Sequence, residues 1–268
     1  MIPNILSIAG SDPSGGAGIQ ADLKAISASG GYAMAAITAL TAQNTQGVRA
    51  VTLTDPEMVA AQVAAIRDDT RIDAVKIGML GSAAIIEAVA EALSGLTAPV
   101  VLDPVMVAKG GDRLLAAEAV AALRDRLVPL ATIITPNLPE AADLLGTEMA
   151  TDRPGMEAQA QALLALGPQA VLLKGGHLDG PDSPDLLLTA EGAHWVEGQR
   201  HATRNTHGTG CTLSSALATH LGHDLPLPEA VARAKSYIAE AIARSGDLTV
   251  GSGHGPVHHF HAFFPEVS

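Results

Sequence analysis

Ile5-Leu6-Ser7-Ile8-Ala9-Gly10-Ser11-Asp12-Pro13-Ser14-Gly15-Gly16-Ala17-Gly18 runs from an apolar segment through a polar, glycine-rich turn into a helix-like stretch over Gly18–Ser29. Strand, turn and helix in that order open a βαβ unit, and the alternation continues along the chain. The pattern predicts strands at Ile5–Ala9, Met34–Leu40, Val48–Leu53, Ala74–Ile77, Val100–Asp103, Thr132–Thr135, Ala170–Lys174 and Leu186–Thr189, with a hairpin turn at Glu191-Gly192 into His194–Val196. Helices are predicted at Gly18–Ser29, Pro56–Asp68, Ser82–Leu93, Ala116–Val128, Pro139–Leu145, Met156–Leu166, Thr209–Leu221 and Pro228–Arg244. Several carry boundary signals, such as Asp55-Pro56 before the second and Gly246 after the last. The expected fold is α/β, a central, mainly parallel sheet with helices on both faces. No linker, repeat or low-complexity tract divides the chain, so residues 1–268 read as a single domain.

Composition narrows the function. Of 268 residues 47% are hydrophobic, ample for a core, and the formal net charge is −12. That charge argues against nucleic acid or an anionic membrane as a partner, so a bound phosphate must be met locally. One cysteine permits no internal disulfide. Met1-Ile2-Pro3-Asn4 does not begin a secretory signal. No apolar run reaches the ~18 residues of a membrane span. The expectation is a cytoplasmic protein.

In folds of this kind ligands collect beyond the carboxyl ends of the strands. The Gly10–Gly18 turn, Gly78-Met79, Asp103, Asn137 with Glu140, and Lys174-Gly175-Gly176 all fall there. Each has a structural reading too, since glycines make turns and an Asp after a strand caps helices. Asn205-Thr206-His207-Gly208-Thr209-Gly210-Cys211-Thr212 opens an apolar helix and has the build of an anion site, where glycines admit a ligand and free amides favour negative charge. The same field is expected to lower the pKa of the Cys211 thiol, letting it take or hold a proton beside a phosphate; the alternative is a small buried cysteine. Asn137-Leu138-Pro139-Glu140 fits a capping box, and equally a carboxylate aimed at magnesium-bound water, with Asp103 the second acid. Gly16-Ala17-Gly18-Ile19-Gln20-Ala21 fits a dinucleotide fingerprint, but the next strand runs out at Leu40-Thr41-Ala42-Gln43 with no acid for the ribose. The chain contains no GxxxxGK[ST] motif. Met106–Asp112, with Lys109-Gly110-Gly111, reads as a mobile flap, Gly176–Pro184 as a surface loop, and the C-terminal histidines as a packed end segment.

Along nearly its whole length the chain resembles the ribokinase-like kinases, and within them the hydroxymethylpyrimidine/phosphomethylpyrimidine kinases of thiamine biosynthesis. The blocks carrying the resemblance are Ala9–Lys24, Thr38–Thr45, Lys76–Leu80, Thr135–Ala141, Leu173–His177, the Cys211 segment and Gly253–His261. The resemblance implies ATP and Mg²⁺ as cofactors, a homodimer, and phosphorylation first of the hydroxymethylpyrimidine and then of its monophosphate. It further implies that Gly208, Thr209, Gly210 and Cys211, with Thr206 before them, form the anion hole. In that comparison Cys211 stands where related sugar kinases carry an aspartate base. Lys174 would reach the transferring phosphate, and Asn137 with Glu140 would order magnesium. Gly10, Asp22, Gln43, Met79 and Val105 would line the pyrimidine pocket, Asp22 and Gln43 supplying hydrogen bonds. Without the resemblance Asp22 reads as an exposed first-turn acid and Gln43 as a polar turn residue. A pyridoxal kinase, a dinucleotide oxidoreductase and a non-catalytic pyrimidine binder are the alternatives.

Overall fold

The computed structural model describes residues 1–106 and 117–264. Among them the main sheet comprises β1 (Asn4–Ala9), β2 (Tyr32–Ile37), β5 (Ala74–Ile77), β6 (Val100–Leu102), β7 (Ile133–Ile134), β8 (Ala170–Lys174), β9 (Asp185–Thr189) and β10 (Gly192–Val196). Its order is β10-β9-β8-β7-β6-β5-β1-β2, parallel from β2 to β8 and antiparallel at β9 and β10. Successive residues of the strands feed opposite faces. Leu6, Ile8, Val75, Ile77, Leu102, Ile134, Val171 and Leu173 enter one core, whereas Ile5, Ala74, Val101, Ile133, Ala170 and Leu172 enter the other. Strands apolar on both sides are what a parallel sheet sandwiched between helices requires. The first core is closed by α2 (Pro56–Asp69), α3 (Ala83–Ala92), α4 (Ala117–Ala122), α5 (Leu138–Leu145) and α6 (Arg153–Leu164). The second is closed by α1 (Gly18–Ala28), α7 (Thr209–Gly222) and α8 (Leu227–Ala243). From β1 the chain moves to β2 on one side and later to β5 on the other, so the order reverses at β1 and opens a crevice there.

Three predicted elements are corrected. The apolar run Met34–Leu40 is not one strand: β2 ends at Ile37, and β3 (Ala39–Asn44) pairs with β4 (Gly47–Leu53) in a separate two-stranded sheet. Thr38 makes the break, its amide bonded to the Ala9 carbonyl at 3.0 Å and its hydroxyl to the Met79 carbonyl at 2.6 Å. The helix expected to reach Val128 is α-helical only through Ala122, then winds through a π turn over Leu123–Leu127 and a 3₁₀ turn over Val128–Leu130, where Pro129 lacks the amide an α-helix needs. Helix α6 starts three residues earlier than expected, because Asp152 caps it through the Gly155 amide (2.8 Å) and Pro154 lies in its first turn.

The loop over 176–184 is more than a surface connection. Arg200 donates to the carbonyls of Gly176, Leu178 and Gly180 at 2.9, 2.6 and 2.9 Å, tying it into one shape. At the C-terminal end His258 and His259 are buried, and Thr212 lies 3.1 Å from His259 Nε2. Apart from Met106, the flap expected over Met106–Asp112 lies outside the described residues.

Candidate active site

Each parallel strand from β1 to β8, β2 apart, delivers a predicted residue to the same rim. Gly10 follows β1, and its amide bonds to the carbonyl of Met79, which follows β5, at 3.1 Å. Asp103 follows β6, Asn137 follows β7, and Lys174 ends β8. Asn137 and Lys174 bridge through backbone pairing, with the Lys174 amide on the Pro136 carbonyl at 2.9 Å. Helix α7 begins over this rim. Its cap, Gly208, has φ +78°, a left-handed conformation that favours glycine, and a β-carbon there would overlap the Gly16 carbonyl oxygen. No side chain caps α7, so its opening turn keeps the character of an anion site. Thr206 accepts from the Thr209 hydroxyl at 2.7 Å through its carbonyl, which closes the turn.

Lysine and carboxylates meet at the mouth of α7. Lys174 Nζ is 3.1 Å from Asp103 Oδ1, which also accepts from Thr135 at 3.2 Å. A β-carbon on Gly210 would lie 3.3 Å from both Lys174 Nζ and Asp103 Oδ2. Burial alone would depress the Lys174 ammonium, but Asp103 and Glu140 more than offset it and hold its pKa above the usual value. The capping box on α5 is complete: the Asn137 side chain accepts from the Glu140 amide at 2.9 Å and Glu140 Oε2 from the Asn137 amide at 2.8 Å. Glu140 is nevertheless also part of the charged cluster. Burial, with Asp103 adding to it and Lys174 opposing, raises its carboxyl to about 7.

The expectation for Cys211 is corrected. Instead of being lowered, its thiol is pushed up to about 11, mainly by burial. Although Cys211 is only half-buried as a residue, the protein around the sulfur desolvates it, and Asp22 and Asp103 add to the effect. Lys76 and the Gly18 amide favour the thiolate but do not prevail. The thiol is neutral at physiological pH, because a helix end is weaker than desolvation beside two carboxylates.

Asp22 is corrected as well. It is neither an exposed acid nor open to a ligand, since it is wholly buried and both oxygens lie 2.9 Å from Lys76 Nζ. Ser7 and Ser215 donate to it at 2.6 and 2.8 Å, so its carboxylate is fully partnered within the protein. The other pocket residues fare differently. Gly10 and Met79 are in contact, a β-carbon on Gly10 falling 2.8 Å from the Met79 terminal methyl. Gln43 stands where the register of β3 shifts against β4, opposite the unpaired Arg49, its Nε2 3.5 Å from His207 Nε2. Val105 lies just beyond Asp103, its amide on the Asp103 carbonyl at 2.8 Å.

The sequence motifs assign no role to Asp12, His207 or Lys76. Asp12 Oδ2 is 2.7 Å from His207 Nε2 and 2.8 Å from the Ala17 amide, while Oδ1 accepts from Ser14. This pair ties the first turn to the α7 turn, and the His207 contact helps hold the Asp12 carboxyl low against its burial. A lysine inside the apolar strand Ala74–Ile77 was the visible signal for Lys76. The signal for Asp12 and His207 was their position in the two glycine-rich turns.

A lysine, two carboxylates and an uncapped helix N-terminus at the switch point of a mainly parallel sheet, without a P-loop, define a ribokinase-like small-molecule kinase. The family model described as phosphomethylpyrimidine kinase matches residues 12–258. The chain is 54% identical over 262 residues to the hydroxymethylpyrimidine/phosphomethylpyrimidine kinase of Escherichia coli K12, covering 97% of this chain and 98% of that protein. It is similar to the phosphomethylpyrimidine kinase structure from Clostridium difficile 630, with TM-score 0.79, 44% identity, and coverage of 90% and 99%. It is also similar to an ADP complex of Bacillus subtilis pyridoxal kinase, with TM-score 0.90, 38% identity, and coverage of 98% and 99%. The chain belongs to the phosphomethylpyrimidine kinase family. It is an enzyme of the kinase class, which sets aside the dinucleotide and non-catalytic readings.

Proposed function

We propose that this chain uses ATP to phosphorylate the hydroxymethyl group of 4-amino-5-hydroxymethyl-2-methylpyrimidine and then the resulting monophosphate, supplying the diphosphate for thiamine biosynthesis. The observation that carries the reading is the Lys174–Asp103 pair, 3.1 Å apart at the glycine-opened mouth of α7, in a member of this family. ATP lies along the rim with its γ-phosphoryl over the Gly208–Cys211 turn. The acceptor oxygen bonds to the γ-phosphorus as the bond to the bridging oxygen breaks and ADP leaves. Lys174 and the turn amides offset charge on the equatorial oxygens. Cys211 faces the acceptor as a neutral thiol. A loose transition state leaves the alcohol proton in place until late, so no strong base is needed, and the proton leaves through an oxygen of the transferred phosphoryl group to water. In the second step a neutral thiol tolerates the charged phosphomonoester, where a fixed carboxylate would repel it.

Asp103 and Glu140 suit the Mg²⁺ of a metal–nucleotide complex, which takes one or two carboxylates and completes its shell with phosphate oxygens and water. Among the described residues no group of three or more metal-ligating side chains forms a protein cage, consistent with an ion that arrives with nucleotide. When bound it neutralises phosphate charge. Gln43 matches the aminopyrimidine edge with one donor and one acceptor, and Gly10, Met79 and Val105 wall the ring. The two-stranded β3–β4 sheet leaves Val51 and Leu53 exposed on one face and Leu40 on the other, apolar surface for a second copy of the chain, so sedimentation should report twice 27.2 kDa. Among the described residues no helix is long and apolar enough to cross a membrane.

The likeness to pyridoxal kinase supports a second acceptor, since pyridoxal also carries a hydroxymethyl group on a nitrogen ring. ADP release measured with hydroxymethylpyrimidine, its monophosphate and pyridoxal separates the readings. Turnover of both pyrimidines is expected, and turnover of pyridoxal alone would contradict it.

A further inference from the structure

The two-stranded sheet that carries Gln43 stands apart from the main sheet. A lone two-stranded ribbon is marginal in water, so contacts outside it must fix its place. Near the start of β3 the Ser11 amide donates to the Ala39 carbonyl at 2.8 Å and the Thr41 hydroxyl to the Ser11 carbonyl at 3.0 Å. The far end is held by a segment to which the mechanism assigns nothing, Gly253-His254-Gly255-Pro256-Val257. There the His254 amide donates to the carbonyl of Thr45, in the turn after β3, at 2.8 Å, and the Gly253 amide to the Thr45 hydroxyl at 3.2 Å. Thr45 is buried, and a β-carbon on Gly253 would overlap its carbonyl oxygen, so glycine is what lets the two backbones close. The same segment then reaches α7: the His207 amide donates to the Gly255 carbonyl at 3.0 Å, and Pro256 pairs with His207 in a parallel bridge. Its footing is firm. Val257 is wholly buried in the core closed by α7 and α8, the His258 amide donates to the Ala241 carbonyl at 2.9 Å, and the Tyr237 hydroxyl donates to the His259 carbonyl at 2.8 Å.

We propose that residues 253–257 are a positioning strap that fixes the tip of β3, and with it Gln43, against the α7 turn. His207 immediately precedes Gly208, where the phosphoryl-binding amides begin, and Gln43 lies two residues before Thr45. Between the two sides Gln43 Nε2 is 3.5 Å from His207 Nε2. The strap thus spans from the pyrimidine side of the site to its phosphoryl side and sets the separation between them. An acceptor hydroxymethyl group must meet the γ-phosphorus at one distance and angle, and a displacement of about 1 Å can cost about a hundredfold in rate. The role in the reaction rests on Gln43 as a contact of the pyrimidine ring, as proposed above, whereas the hold on the β3 tip does not.

Thr45→Val keeps the shape of the side chain but removes the acceptor of the Gly253 amide, Thr45→Ser keeps that acceptor, and Gly253→Ala forces the strap off the Thr45 carbonyl. Gly253→Ala should lower kcat/KM for hydroxymethylpyrimidine about tenfold or more and Thr45→Val about threefold or more, with Thr45→Ser close to wild type and the KM for ATP within about twofold throughout. In the Gln43→Ala background the further loss from Gly253→Ala should shrink to less than about twofold, because both changes act through one contact, whereas a merely loosened fold multiplies the losses and raises the KM for ATP as well. Amide hydrogen exchange over residues 39–53 of the free enzyme should quicken in Gly253→Ala and Thr45→Val. Unchanged exchange there, unchanged kcat/KM, a full-sized loss in the Gln43→Ala background, or equal effects on ATP and pyrimidine overturn the proposal. If Gly253→Ala does not fold, Thr45→Val decides on the same readouts. A wild-type kcat/KM in Gln43→Ala would instead contradict the ring-contact reading of Gln43, a failure separate from that of the strap, whose hold on β3 the exchange over 39–53 still reports.

Discussion

In the reaction proposed above Lys174 is the side chain on which the chemistry turns, and Asp103 and Glu140 hold the pKa of its ammonium above the usual value despite burial. Lys174→Ala should lower kcat about 10²–10³-fold, the usual cost of one electrostatic contact made in the transition state, while the KM for the pyrimidine changes little. Steady-state kinetics check this, and unchanged kcat would remove Lys174 from the reaction. Glu140 makes a pH prediction of definite sign. Its folded pKa of about 7 lies above the ordinary 4.5, so the folded protein holds that proton more tightly than the unfolded chain. The stability it contributes is complete below about pH 4.5 and is lost as pH rises through about 7. Melting followed from pH 5 to 8 without nucleotide should show wild type losing stability relative to Glu140→Gln. Neither this shift nor that of Cys211 is legible in the sequence. Both are set by burial and by partners such as Asp103 and Lys174 that are distant in the chain, whereas the helix-end field that sequence does reveal is the smaller influence at Cys211.

At the scale of elements, the segments that local rules govern are the ones sequence places well. Ala74–Ile77 and Ala170–Lys174 match residue for residue, because a run apolar on both faces has one home in a parallel sheet. The Asn137–Glu140 cap is equally local, and Asn137→Ala should lower stability by about 1 kcal/mol with or without ATP, measured by denaturant midpoint. An effect seen only with nucleotide would instead make Asn137 chiefly a ligand contact. The break at Thr38 and the separate β3–β4 sheet are not legible, since the hydrogen bonds that redirect the chain go to Ala9 and Met79. The Asp22–Lys76 pair, 54 residues apart in sequence, is hidden for the same reason.

For the molecule as a whole, the sheet order brings β1, β5, β6, β7 and β8 to one rim, and two helix N-termini, α1 at Gly18 and α7 at Thr209, converge above it on Cys211. The rim thus combines a cation, acids and a neutral thiol in a site that must accept first an alcohol and then an anion. The second step depends most directly on that neutrality. Phosphorus NMR of the purified enzyme with Mg·ATP and hydroxymethylpyrimidine, followed by the monophosphate alone, times the two steps separately in wild type and Cys211→Asp. Wild type should yield monophosphate and then diphosphate. Cys211→Asp should keep the first step within about tenfold and lose the second about a hundredfold or more, because a fixed charge opposes the phosphomonoester in a poorly solvated site. Formation of diphosphate by Cys211→Asp at the wild-type rate would contradict the account.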